Sequence, residues 1–530
     1  MTYTYKLRKG VKWYTSDGEE YAEVTAKDFV TGLKHAADKK TESIYLAKDS
    51  VVGLADYFNG TDKDFSKVGV KALDDYTLQY TLKQPEPYWN SKMTYSLFWP
   101  VNEEFLKSKG DSFGKSTDPS SILYNGPYIL KSLTAKSSIE LAKNENYWDK
   151  KNVHFDGIKL SFYDASDQES LVRNFTDGAY SQARLYPTSS NFNSVEKQYK
   201  DNIFYTQPSA DIGGVGVNID RQSYNHTSKK TDAEKDSTKK ALLNKDFRQS
   251  VNFAIDLVTE KMPSYGDEWS GVNLKDSQDG LFNADKAKTE FNKAKEALQA
   301  QGVQFPIHLD LPVDQAAKPT VARAQSLKQS VEKTLGKENV VVDVHQMSQD
   351  DLLNSTLYAA SAAAEDWDIN ISVAWAPDYE DPSTFLDIFK TTASENTKTY
   401  MGFDDPNNAA AAQVGLKDFD ALVDNAAKET SDLNVRYERY AEAQAWLEDS
   451  SLFMPLMVNK GAAPMVARLT PFSGAYSQVG PKGSDRYFKY LEPQKDVVTK
   501  KNYDKARESW LKEKSKSNEK AQKDLEKHVK

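Results

Sequence analysis

No cysteine occurs in the 530 residues of this chain, which excludes disulfides, thiolate nucleophiles and cysteine-ligated zinc or iron–sulfur centres. No apolar run approaches the ~20 residues needed to span a bilayer. Histidine is scarce, and the six are His35, His154, His226, His308, His345 and His528. No two stand at i, i+4, and none is spaced with a glutamate as in a zinc protease, so no metal or cofactor is expected. Each reads as a surface or packing residue. Gly213-Gly214-Val215-Gly216 lacks the spacing and helix start of a phosphate loop, and no Gly-x-Ser-x-Gly elbow is expected. Basic residues are not in excess: 69 Lys and Arg against 78 Asp and Glu leave a net charge of −9. They are also interleaved with acids, which argues against nucleic acid as a partner. With no nucleophile beside an activating base, the residues favour binding over catalysis.

What is present suffices for packed cores. Hydrophobic residues make up 39% and aromatics 12%, mostly Tyr (29) and Phe (23) with 9 Trp. Tyr and Trp can line a ligand cleft as well as a core, and the count does not separate the two. The length predicts two or three domains. Thr25 is a candidate N-cap ahead of an amphipathic helix, and Val70–Leu82 reads as two strands around an Asp-Asp turn. Residues 225–244, rich in Lys, Asp, Thr and Ser, read as an exposed linker or loop. Ala284, Ala287, Phe291, Ala294 and Leu298 form one helix face. Strands at 305–311 and 340–344 flank a helix over 320–335, a β-α-β order that predicts an α/β lobe with a mainly parallel sheet. A helix over 434–446 and a short buried strand over 452–456 follow. The tail from 497 to 530 reads as a solvated charged helix with Tyr503, Trp510 and Leu511 at helical spacing.

The richest segment is Trp375-Ala376-Pro377-Asp378-Tyr379-Glu380-Asp381-Pro382-Ser383-Thr384-Phe385. It follows the alternating run 367–373, which reads as a strand, and Pro377 and Pro382 end any ladder by lacking an N–H. An acid at such a strand exit, flanked by Trp and Tyr, suits a cationic, partly apolar small ligand. The same window also fits a solvated acidic loop. Pairing Asp378 with Asp366 or Asp381 would suit a carboxylate-based hydrolase, but 78 acids make such pairings uninformative.

A family resemblance sharpens these readings. Its landmarks are Tyr3–Trp13 with Asp17-Gly18, Val24–Val30, Val70–Asp75, Asn125-Gly126-Pro127-Tyr128, Asn144-x-Asn146-Tyr147-Trp148, Asp246-Phe247-Arg248 with Ala254-Ile255-Asp256, and Trp375–Phe385. In this order over residues 1–495, they make the chain resemble the oligopeptide-binding proteins of ABC peptide importers, of the streptococcal cell-surface lipoprotein type. The resemblance implies an α/β, two-lobed periplasmic-binding-protein-like fold with an additional smaller domain and a cleft between the lobes. The expected domains are an accessory domain at 1–120, a first lobe at 121–245 and 460–495, a second lobe at 246–459, and a charged C-terminal helical extension at 496–530. It implies a monomeric, non-enzymatic receptor that captures oligopeptides for an ABC transporter membrane permease. The alternatives are another small solute on the same scaffold or a carboxylate-based hydrolase. The expected ligand-binding residues are Asp378, taking the peptide α-ammonium, with Trp375, Tyr379 and Tyr45. The family acts at the extracellular face of the cell membrane through a lipid anchor. This chain, opening in a strand at Met1, is expected to lack signal peptide, anchor and the start of the accessory domain. A deletion is expected after Asp256, ahead of Asp267-Glu268-Trp269.

Overall fold

A computed structural model describes residues 1–163, 166–187, 189–206, 211–255, 282–458, 463–472 and 488–528. The chain forms two compact units. One comprises Met1–Tyr163, Asp167–Gln207 and Ala462–Lys530; the other comprises Asp164–Ser166 and Pro208–Gly461.

In the first unit, period-two alternation sets the strand Thr2–Lys6 against Thr77–Thr81, which also pairs with Val70–Asp74. Thr25 is the N-cap of the helix Ala26–Asp38, whose Leu33, Ala36 and Ala37 are buried. The strands Tyr128–Thr134, Ser138–Lys143 and Gly157–Ser161 form an antiparallel meander. The strand Pro464–Ala467 returns between Phe204–Tyr205 and Gln182–Arg184. The C-terminal helix Lys500–His528 docks at its start: Tyr503 stacks on Phe204 with centroids 4.2 Å apart, and Trp510 lies 5.4 Å from Phe472. Leu511, on the adjoining position, stays 40% exposed.

The second unit contains the expected β-α-β element. Ile307–Asp314 and Val340–Met347 pair in parallel, joined by the helix Lys318–Leu335. Ala287, Phe291, Ala294 and Leu298 of the helix Ala284–Ala300 are buried as their spacing predicts. The helix Leu433–Ser450 and the strand Phe453–Val458 complete the unit's expected elements.

Three expectations are corrected. The sheet is not mainly parallel: every other described pairing is antiparallel, including the sheet in which Ile212–Val217 lies between Ile369–Trp375 and Phe453–Val458. Only the β-α-β element supplies the crossover that parallel strands need. Residues 225–244 are not an exposed loop, because Asp232–Leu243 is a helix with a Thr231–Glu234 capping box and Lys229 is buried. Contacts also do not divide the chain at 245/246, since Ile212–Val217 takes both its strand partners from the second unit. The expected deletion after Asp256 lies outside the described residues. Among the described residues, no helix is long and apolar enough to cross a membrane.

Candidate functional site

The loop carrying Asp378 leaves the strand Ile369–Trp375, which pairs with Ile212–Val217 so that Trp375 faces Ile212. The glycines of that partner strand allow close approach. A Cβ on Gly214 would lie 2.6 Å from the Met454 carbonyl oxygen, and one on Gly216 would lie 2.8 Å from that of Tyr400. Tyr400 therefore packs against this sheet, with its ring edge-on to Trp375 at 6.5 Å. Its hydroxyl donates to the Ala374 carbonyl at 2.6 Å. Burial, and then the nearby negative charge of Asp378, push the Tyr400 phenol well above its ordinary value, so it remains a donor.

The loop is then tied to itself. The Trp375 indole N–H donates to the Thr384 carbonyl at 2.7 Å, and the Asp378 backbone N–H donates to Thr384 Oγ1 at 2.8 Å. Asp381 Oδ1 accepts from the Ser383 N–H at 3.1 Å. Arg436, on the helix Leu433–Ser450, grips Asp381 at 2.8 Å through Nε and 2.7 Å through Nη2. Both side chains of this pair are within 4% of full burial. Asp378 and Tyr379 are themselves only 8% and 6% exposed. The Tyr379 hydroxyl donates to Asp387 at 3.3 Å and accepts from Ser383 at 3.1 Å. A carboxylate on a loop tied this closely and set beside aromatic rings suits a cationic N–H donor, because hydrogen bonds to an ionised acceptor are the strong ones.

The strand that delivers this loop is fixed at its other end by a buried ionic cluster. Asp366 and Asp368 flank Trp367, and with Asp310 they surround Arg221 and Lys229. Arg221 reaches Asp310 and Asp366 at 2.7 Å each and Asp368 at 2.9 Å. His345 meets Asp310 at 2.8 Å and His226 meets Asp366 at 3.0 Å. Burial alone would push the Asp310 carboxyl up. The His345 hydrogen bond and the Lys229 and Arg221 charges outweigh it and hold Asp310 below the usual carboxylate range.

Trp375, Asp378 and Tyr379 thus share one loop, whereas Tyr45, 39% exposed, opens the short helix Tyr45–Lys48 of the other unit. The carboxylates named as hydrolase partners are otherwise engaged, Asp366 by Arg221 and His226 and Asp381 by Arg436. Contrary to expectation, one Gly-x-Ser-x-Gly string does occur, Gly110-Asp111-Ser112-Phe113-Gly114. It forms a 3₁₀ turn after the helix Glu103–Lys109. The strand-to-helix turn of a nucleophile elbow is not there. Among the described residues, no cluster of His, Asp and Glu is arranged to hold a metal. The reading also misses Arg221, Lys229 and Arg436, and its one usable signal was Thr231-x-x-Glu234, a capping box marking the helix beside Lys229.

Residues 1–397 match the family described as bacterial extracellular solute-binding proteins, family 5 (middle). The chain belongs to this family. It is 66% identical to the oligopeptide-binding protein AmiA of Streptococcus pneumoniae, across all of this chain and 86% of that protein. It is 57% identical to the oligopeptide-binding protein SarA of Streptococcus gordonii, across all of this chain and 85% of that protein. The substrate-binding domain of an oligopeptide ABC transporter from Bacillus anthracis shares the fold, with TM-score 0.69 at 24% identity over 93% of this chain and 88% of that one. The α/β solute-binding fold and the family expected from the landmark residues are therefore those of the molecule.

Proposed function

We infer that this family 5 solute-binding protein captures oligopeptides for an ABC transporter permease, with Asp378 receiving the peptide α-ammonium. Relatives at 66% and 57% identity carry the name oligopeptide-binding protein, which supports the ligand class. The observation that carries the residue-level reading is the Asp378 loop itself. It is a nearly buried carboxylate beside Trp375, on a segment locked by Thr384 and by the Arg436–Asp381 pair. Main-chain pairing with an extended peptide gives affinity without reading side chains, and a fixed carboxylate sets the register by holding the amine. Tyr379 positions the loop through Asp387 and Ser383, and Tyr45 is proposed to touch ligand from its own unit. Within the first unit, residues 1–120 are proposed to form the accessory domain.

The protein binds without turning its ligand over, and it works at the extracellular face of the cell membrane, held there by a lipid anchor. Mass spectrometry of gently purified protein tests the ligand class. A co-purifying mixture of peptides is expected, and peptides incubated with the protein are expected to come back intact. A single non-peptide solute, or cleaved peptides, would overturn the reading.

A further inference from the structure

The first unit holds a cavity of about 690 Å³ that none of the assigned residues touches. One wall is the helix Ala26–Asp38, and the opposite wall is the segment around the 3₁₀ turn Ser96–Phe98. Gly32 lets the two approach, since a Cβ there would lie 2.3 Å from the Trp99 carbonyl oxygen. The Val101 N–H donates to the Asp28 carbonyl at 2.9 Å, and the Trp13 indole donates to the Asp28 carboxylate at 3.0 Å, so the frame is rigid. Trp13, Leu97 and Phe105, each less than 8% exposed, form the apolar lining, and Trp99, 58% exposed, brings the lining to the surface.

Two properties define what such a space takes. No Asp, Glu, Lys or Arg lines it, so a charged ligand would be desolvated without a counter-charge. Several neutral polar side chains do line it, among them His35 and Asn125, and the Thr41 and Tyr128 hydroxyls in the same lining are buried with no hydrogen-bond partner among the described residues. The His35 and Asn125 side chains make no hydrogen bond to another described residue. The His35 ring is held edge-on to Phe113 at 5.3 Å, and burial keeps it below its ordinary value, hence neutral. The volume falls within the range of about 300–1,000 Å³ typical of small-molecule sites, where apolar walls supply affinity and a few polar groups fix orientation.

We propose that this cavity is a second ligand site, taking an uncharged, mainly apolar small molecule that hydrogen-bonds to His35 and Asn125. None of Asp378, Trp375, Tyr379 and Tyr45 is among its lining residues.

Fluorescence titration of the full chain with 2-naphthol, naphthalene and naphthalene-2-sulfonate tests this. Naphthol and naphthalene are expected to saturate one site per chain, to bind at least tenfold tighter than the sulfonate, and to stay bound under saturating trialanine. Ala36→Leu fills the cavity from the helix wall and is expected to weaken both neutral probes about tenfold. His35→Phe keeps the ring and removes its nitrogens. It is expected to weaken naphthol about three- to tenfold, the range of one neutral hydrogen bond, and to leave naphthalene unchanged. Should Ala36→Leu fail to fold, His35→Phe decides alone. Absence of saturable binding, sulfonate binding as tight as naphthol, displacement by trialanine, or equal loss of both neutral probes in His35→Phe would each overturn the proposal. Displacement by trialanine would leave the peptide-receptor reading intact.

Discussion

Arg436→Met is the most informative perturbation away from the ligand itself. Arg436 is 2% exposed. Besides its two bonds to Asp381, it donates to the carbonyls of Ala426, Ala427 and Glu429 and to the Tyr440 hydroxyl. Methionine preserves much of the apolar stem but leaves the Asp381 carboxylate buried without its cation. Breaking a buried ion pair from one side costs about 3–5 kcal/mol. For a unit of this size, at about 2–4 °C per kcal/mol, the melting temperature should fall by on the order of 10 °C. Because Asp381 is three residues from Asp378, peptide affinity should fall as well. Asp381→Asn added to Arg436→Met removes the stranded charge and should recover part of the stability, a coupling that a double-mutant cycle reads directly. Differential scanning calorimetry of the four proteins checks this. A loss below about 1 kcal/mol in Arg436→Met, or a double variant no more stable than the single one, would refute the idea that this pair clamps the loop.

Two further outcomes follow from buried groups. Glu365 is fully buried and accepts from the Trp367 indole, while among the described residues its Oε1 has no partner. Burial raises its carboxyl to about 8, against the opposing Trp367 hydrogen bond and Lys398 charge. A raised carboxyl contributes stability that is fully present below the unfolded value near ~4.3 and is lost as pH rises through the folded value. Glu365→Gln should therefore match the wild type near pH 4.5 and exceed it by on the order of a few kcal/mol at pH 8.5, read from urea denaturation at both pH values. Gly214→Ala forces a Cβ against Met454 O and Phe453. It should cost roughly 3 kcal/mol by the same assay, and a neutral result would mean that the sheet relaxes freely there.

The sequence revealed the Asp378 loop because strand alternation, two prolines and flanking aromatics are all local signals. The β-α-β element and the helix Ala284–Ala300 were readable for the same reason: period and spacing are carried by neighbours in the chain. The antiparallel partners of Ile212–Val217 were not, because Ile369–Trp375 and Phe453–Val458 lie far along the chain and their pairing has no local code. Arg221, Lys229 and Arg436 look like ordinary surface cations. Only tertiary packing sets Asp310, Asp366, Asp368 and Asp381 against them, turning charges that read as solvated into the supports of the strand and its loop. The unpartnered polar groups of the first-unit cavity were equally silent, since a cavity is a property of elements that meet in space.

The central claim is that Asp378 holds the peptide α-ammonium. Isothermal titration of one peptide and its N-acetylated form against wild type and Asp378→Ala measures that interaction most directly. Asp378→Ala should weaken the free peptide by about 2–5 kcal/mol, some 30-fold or more, because the ammonium loses its partner in a desolvated setting. Acetylation should cost the wild type a similar amount and the variant little more. Additive losses, or an affinity unchanged by Asp378→Ala, would contradict the account.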